Sequence, residues 1–271
     1  MRPLALSILV LVALIAPAAS ADVPAWVDGP SFRAFCDTLR EKTACPGCSC
    51  EALTQSPPTA GLDGASGFGT GLVVRLAGAQ ADGQLNFDQL RVALGSEGKL
   101  VDAGVIGEAS YPADGRTYGA VEVLESAQRV DMCPGMCPHE PVGMAHVFEV
   151  RTSWTTPDDA RPDRGDIRTT TELVACFAPD EKTPGCWLTP IGAGTGTWQY
   201  DLTGEGNEKR RDKATWSRSY RLSPSGEVTL TLGKPKGKLP AELATKAMAA
   251  LPTRLHLRDL LTRPGTRPAA R

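Results

Sequence analysis

The sequence predicts a mainly β protein: an antiparallel sheet (a sandwich, a barrel or a strongly curved sheet) with an N-terminal helix and a C-terminal helical tail. Three observations carry this expectation. Apolar and polar residues alternate with period two in several runs between residues 72 and 232. The chain of 271 residues holds 28 glycines and 22 prolines, so turns are frequent and long helices few. Eight cysteines lie behind a segment with the pattern of an export leader, which favours a β scaffold cross-linked by disulfides.

That leader is expected at residues 1–21. Arg2 supplies a positive start, Leu4 to Ile15 an apolar run too short for a comfortable membrane span, and Ala19-Ser20-Ala21 a small-residue cleavage site. Cleavage near Ala21 would leave 250 residues beginning at Asp22, in a secreted or periplasmic setting. No second apolar run approaches membrane-spanning length, so no transmembrane segment is expected in the mature chain. The expected organisation beyond the leader has three parts. Residues 22–53 form a helix and a Cys-rich segment, residues 54–238 an antiparallel β domain, and residues 239–271 a helical segment with a basic tail.

The elements follow in order. Ser31 after Pro30 suits an N-cap, and Phe32, Phe35, Cys36 and Leu39 share one helical face, so a helix is expected to run to about Thr43. Residues 54–69, rich in proline and glycine, read as a loop. Strands are expected at 72–76, 90–94, 100–106, 118–124, 146–154 and 167–177, with a turn at 95–98. Residues 156–166 carry four aspartates, two arginines and two prolines and read as an exposed loop. The clearest hairpin spans 214–232, turning at Ser223-Pro224-Ser225-Gly226 between Trp216, Tyr220, Leu222 and Val228, Leu230, Leu232. Helix formers fill 241–251, and Pro252 suits the start of a second helix over 253–261. Leu251, Leu255 and Leu261 would share its face and dock on the β domain.

Composition narrows the function. Apolar residues make up 41% of the chain, enough for a folded core, and the formal charge is −2. That balance offers no broad basic field, so nucleic acid is not an expected partner. The partner is otherwise open: another envelope protein or a small ligand.

The disulfide candidates are Cys36, Cys45, Cys48, Cys50, Cys133, Cys137, Cys176 and Cys186. Cys176 and Cys186 flank a turn between two strands, so a hairpin-closing bridge is expected there, worth about 2–3 kcal/mol in the chain-entropy view. Cys36, on the apolar helix face, is expected to reach Cys45, Cys48 or Cys50. Cys133 and Cys137 pair with each other or with that cluster. Cys45-Pro46-Gly47-Cys48 resembles the redox motif of thioredoxin-like oxidoreductases. The resemblance implies an attacking thiolate at Cys45, lowered in pKa by a helix that it opens. Here a helix precedes the motif, a third cysteine follows at Cys50, and no βαβ unit surrounds it. The same residues resemble a zinc knuckle, with Cys133 and Cys137 as partners.

Met132, Cys133, Met136, Cys137, His139, Met144 and His146 concentrate soft ligands within fifteen residues, in a chain with five methionines and three histidines. Met132, Met136, His139, Met144 and His146 form a candidate copper site, because thioether and imidazole suit Cu(I) and survive oxidation of the thiols. The alternative is a disulfide loop with methionines filling gaps and His146 buried on the apolar parity of a strand. No cofactor is expected without that site.

Catalytic signatures are sparse. No Gly-x-Ser-x-Gly elbow occurs, and His139, His146 and His256 have no recognisable serine partner. Glu122, Glu149 and Glu172 fall on strands and could face a cleft in pairs, as glycosidase carboxylates do. Gly192-Ala193-Gly194-Thr195-Gly196 resembles a glycine-rich phosphate loop, but no helix follows it. Arg164-Gly165-Asp166 has the composition of an adhesion tripeptide. The expectation is a secreted or periplasmic, disulfide-stabilised β protein, non-catalytic, with a binding or structural role in the cell envelope. A copper-handling protein and an extracytoplasmic hydrolase are the alternatives.

Overall fold

Phe32, Phe35, Cys36 and Leu39 recur at helical spacing, and they are the buried side of α1, Pro30–Lys42, the single long helix among the described residues. A computed structural model describes residues 29–53, 62–63, 70–96, 99–124, 128–131, 144–177, 185–200, 208–241, 243–244, 254–257 and 259. The expected Ser31 cap is not used. Gly29 occupies the N-cap with no side-chain cap bond and Pro30 enters at the first turn, where its missing N–H costs nothing. The helix stops at Thr43, whose hydroxyl donates to Leu39 O at 2.8 Å.

Among the described residues thirteen strands follow: β1 Ser49–Ala52, β2 Leu62–Asp63, β3 Thr70–Ala79, β4 Leu85–Ser96, β5 Lys99–Pro112, β6 Tyr118–Val123 and β7 Gln128–Asp131. The series continues with β8 Met144–Asp158, β9 Arg161–Phe177, β10 Gly185–Tyr200, β11 Glu208–Leu222, β12 Glu227–Leu232 and β13 Arg254–His256. They make two antiparallel sheets. The smaller runs β1-β3-β4-β5, with β2 on β3. The larger runs β13-β12-β11-β10-β9-β8-β6, with β7 also on β8. Most pairings join consecutive strands, the cheap antiparallel meander.

Strand parity sorts the core into three clusters. Val73, Leu90, Val92, Ile106, Val121, Phe148, Val150 and Val174 fill the space between the two sheets. Leu72, Val74 and Leu76, of opposite parity on β3, pack with Phe87 and Ala93 under α1. Val147, Leu173 and Ala175 on the other face of the larger sheet are covered by Val228, Leu230 and Leu257. That cover exists because β11 leaves β10 at Ser217 and pairs onward with β12, folding the hairpin back over the sheet. Fully burying a leucine such as Leu173 or Leu257 contributes on the order of 2 kcal/mol.

One carboxylate ties the sheets together. Asp88 on β4 is buried and takes a two-pronged bond from Arg75 on β3, at 2.8 and 2.7 Å. Its Oδ2 also accepts the Val121 N–H of β6 at 3.0 Å, across the gap between sheets. The hydrogen bond to Asp88 raises the Arg75 pKa. Burial, followed by the charge of Asp88, raises that of Tyr111. Nearby, Gly107 lets the sheets close: a Cβ there would lie 2.5 Å from Val121 and 2.7 Å from Val150.

Several expectations change. The expected loop at 156–166 is a β ribbon: β8 runs to Asp158, β9 starts at Arg161, and Thr156 pairs with Asp166. Asp158 caps the turn by accepting the Ala160 N–H at 2.9 Å. The charges there are the exposed dress of a strand pair that extends past the core. Within the expected loop 54–69, Leu62–Asp63 pairs with β3. The expected second C-terminal helix is not seen at Arg254–His256, which forms β13 along the edge of β12, with Leu255 opposite Val228. Capping that open edge satisfies backbone groups that a helix would leave to water. Leu257 and Asp259 are helical, as are Ala241, Leu243 and Ala244, the last donating to Pro240 O at 2.9 Å. The rest of the expected C-terminal helical tail and the leader lie outside the described residues. The 214–232 hairpin turns as expected, with Gly226 at φ +83° and Glu227 N–H bonded to Ser223 Oγ at 2.9 Å.

Candidate functional site

The glycines at 192, 194 and 196 line a large hollow in the fold. They stand in strand β10, which corrects their reading as a glycine-rich loop. A β-bulge at Pro190/Gly192 sets their phase, pairing Gly192 with Thr171, Gly194 with Thr169 and Gly196 with Ile167. The same glycines pair with Ser217, Thr215 and Asp212 of β11. All three thus share the face of β9 that carries Leu173 and Ala175. Where those residues meet the folded-back hairpin the face is filled; where glycines replace side chains it is not. The result is a cavity of about 800 Å³.

Its walls mix apolar residues such as Leu124, Ile167, Ile191 and Leu222 with polar ones. Glu149 and Arg151 enter from β8, Thr169 and Thr171 from β9, Arg210, Asp212, Thr215 and Ser217 from β11, and Trp216, Arg218 and Tyr220 from further along β11. The Arg218 guanidinium lies 5.0 Å from the Trp216 ring centroid, a cation–π contact that fixes its plane. Arg151 is oriented by Glu122 of β6 at 3.3 Å. Three guanidiniums and two carboxylates therefore line one hollow whose floor is bare backbone. The volume falls within the ~300–1,000 Å³ of small-molecule sites.

The sequence-flagged carboxylates divide. Glu149 lines the cavity, and Glu122 lies on the same face, bonded to Arg151. Glu172 pairs with Val150 while Glu149 pairs with Leu173, so Glu149 and Glu172 point to opposite faces. They cannot work as a pair. Arg164-Gly165-Asp166 lies within β9 opposite Pro157 and Thr156, with Asp166 paired to Lys213 at 3.0 Å, rather than at a loop tip.

Cys176–Cys186 joins β9 and β10 as expected, and Cys36 reaches Cys50. Cys45 pairs with Cys48, between the end of α1 and β1, and both are buried. The motif sits after a helix C-terminus, whose partial negative charge opposes a thiolate, and its burial denies access to a substrate disulfide. Cys133 and Cys137 lie outside the described residues, as do Met132, Met136 and His139. Of the candidate copper ligands, Met144 begins β8, and His146 is buried on the parity of Phe148 and Val150, opposite Cys176. Among the described residues no group of three or more His, Cys, Asp or Glu is arranged to hold a metal, and no helix is long and apolar enough to cross a membrane.

Neither a protein-family model, nor a curated protein, nor a solved structure matches this chain. The cavity is therefore read on its own chemistry.

Its residues were only partly visible beforehand. Glu149 and the glycine run stand out in the sequence, but the arginines do not. Three arginines at 151, 210 and 218 carry no spacing signal, because two strand pairings bring them together.

Proposed function

We propose that this chain is an extracytoplasmic, disulfide-stabilised binding protein of the cell envelope or exterior, which holds a small polar ligand in the cavity without transforming it. The observation that carries the reading is the row of Gly192, Gly194 and Gly196. A sheet face that could have been filled with Val or Thr is left bare beneath five charged side chains. Filling it would bury apolar area at roughly 25 cal/mol per Å², so a polar hollow in place of packed side chains costs stability and needs a use. Three disulfides among the described residues are compatible with an oxidising compartment, where a reduced cluster would not persist. The leader pattern at residues 1–21 supports the same setting.

The test compares thermal unfolding of the wild-type protein and Gly192→Leu. A Cβ at Gly192 meets Thr171 at 3.3 Å, so the added side chain can be housed by the hollow rather than by the backbone. A panel of sugars, sugar acids, amino acids and small carboxylic acids is added to each. At least one class should raise the wild-type melting temperature and leave the variant unmoved, as mass action requires of a ligand that binds the folded state. Protection by none, or equal protection of both proteins, overturns the reading.

A further inference from the structure

The larger sheet carries a second charged surface where β8 to β11 run past the core. One register row crosses all four strands there. Thr156 pairs with Asp166, Asp166 with Thr197, and Thr197 with Arg211. Thr197 alternates with Gly196 and Trp198, so the row points away from the glycine floor. A groove of about 620 Å³ opens over it. Its lining holds the cations Arg164, Arg210, Arg211 and Lys213 against the carboxylates Asp158 and Asp166. A local excess of positive charge, in a chain of formal charge −2, calls for an anionic partner.

Most of these cations are already engaged within the protein. Lys213 lies 3.0 Å from Asp166 and Arg164 lies 3.7 Å from Asp158. Arg210 has a contact of its own. Two other guanidiniums carry the excess. Arg211 is one. Arg168, which follows Asp166 by two residues on the same parity, is the other. Both are exposed, and neither has an ion pair or side-chain hydrogen bond among the described residues. Arg168 pairs with Thr195 and Arg211 with Thr197, so they stand two strands and two residues apart. Strand spacing and rise put their Cα atoms about 12 Å from each other. Guanidiniums bind carboxylate or phosphate through paired hydrogen bonds. Asp166 selects between these anions, because it shares the strand of Arg168 and the row of Arg211. A compact dianion such as phosphate, or a plane of lipid phosphates, would press its charge against that carboxylate. Trp198 is only 7% exposed, so the groove offers no ring to enter a bilayer. A chain whose single carboxylates are separated by hydroxyls avoids the repulsion, and its hydroxyls can donate to Asp166 and bond with Thr197. We infer that this groove docks an acidic polysaccharide, one carboxylate on Arg168 and a further one on Arg211. The site is separate from the cavity and does not rest on what the cavity holds.

Calorimetry on the full chain tests this with tetragalacturonate and its neutral counterpart maltotetraose. Inorganic phosphate and vesicles of equimolar phosphatidylglycerol and phosphatidylcholine are the other anion sources. The variants are Arg168→Gln, Arg211→Gln, the two together, and Arg161→Gln. Arg161 is equally exposed and lies outside the groove lining, so it reports the general field of the surface. Tetragalacturonate should bind and maltotetraose should not. Arg168→Gln and Arg211→Gln should each weaken binding about three- to tenfold, the range for one hydrogen-bonded charge, and the double variant should abolish it. Arg161→Gln should keep the wild-type affinity. Raising the salt from about 20 to about 200 mM should weaken wild-type binding, because exposed charges are screened. All three arginines are exposed, so the variants should melt with the wild type. No binding of tetragalacturonate, equal binding of maltotetraose, or an equal loss in Arg161→Gln overturns the inference. So does tighter binding of phosphate or of the vesicles than of tetragalacturonate.

Discussion

Asp88 joins the two sheets through specific hydrogen bonds. Its carboxylate satisfies Arg75 and the Val121 N–H together, at distances of 2.7 to 3.0 Å. Asp88→Asn keeps the shape but replaces one acceptor oxygen by a donor and removes the charge. Chemical denaturation should show a loss of about 2–3 kcal/mol, the cost of leaving buried hydrogen-bonding groups poorly matched. A loss below half a kcal/mol would show that the sheets do not lean on this contact. Glycines give a second contrast. A Cβ at Gly196 would lie 2.5 Å from the Arg211 carbonyl, against 3.3 Å from a movable Thr171 side chain at Gly192. Gly196→Ala should therefore destabilise by about 1–3 kcal/mol while Gly192→Ala stays close to wild type in the same assay. Neither feature was legible beforehand. Asp88 sits in an ordinary Phe-Asp-Gln run, and glycine spaced by two has the same composition in a loop as in a strand.

At the scale of elements, the α1 face, the 214–232 hairpin and the Cys176–Cys186 closure could be read from sequence because each is decided by neighbours within about twenty residues. The ribbon at 156–166 could not, since its charges signal solvent exposure, which exposed strands share with loops. The C-terminal segment misled for a different reason. Leu251, Leu255 and Leu261 read as a helical face, yet Arg254–His256 lies along β12, and Leu257 is fully buried in the outer cluster. Edge pairing is a tertiary opportunity that outweighs local propensity. Leu257 N–H bonds to Gly226 O at 2.9 Å, so the segment also pins the hairpin turn. Leu257→Ala should cost about 2–4 kcal/mol by denaturation, as for other buried leucines. Removing residues 252–271 should lower the melting temperature further. An unchanged melting point would mean that the outer cluster holds without its strap.

The whole molecule is a small sheet with a helix on one side and a larger, folded-back sheet on the other, and the cavity arises from how the larger sheet folds. Disulfide-bound, mainly β construction was legible from alternation and cysteine count. The cavity was not, because it depends on a bulge at Pro190/Gly192 and on β11 leaving β10 at Ser217. Both are properties of strand pairing that no local window contains. The central claim is that this hollow binds a polar ligand. Its most direct measurement is a backbone amide NMR titration of the wild-type protein with the compound that best protects it from heat. Chemical-shift changes should concentrate in segments 149–151, 167–171, 192–196 and 210–220, which contribute residues to the cavity lining, and should be absent beneath α1 at residues 72–76. Changes centred elsewhere, or none at saturating compound, would contradict the account.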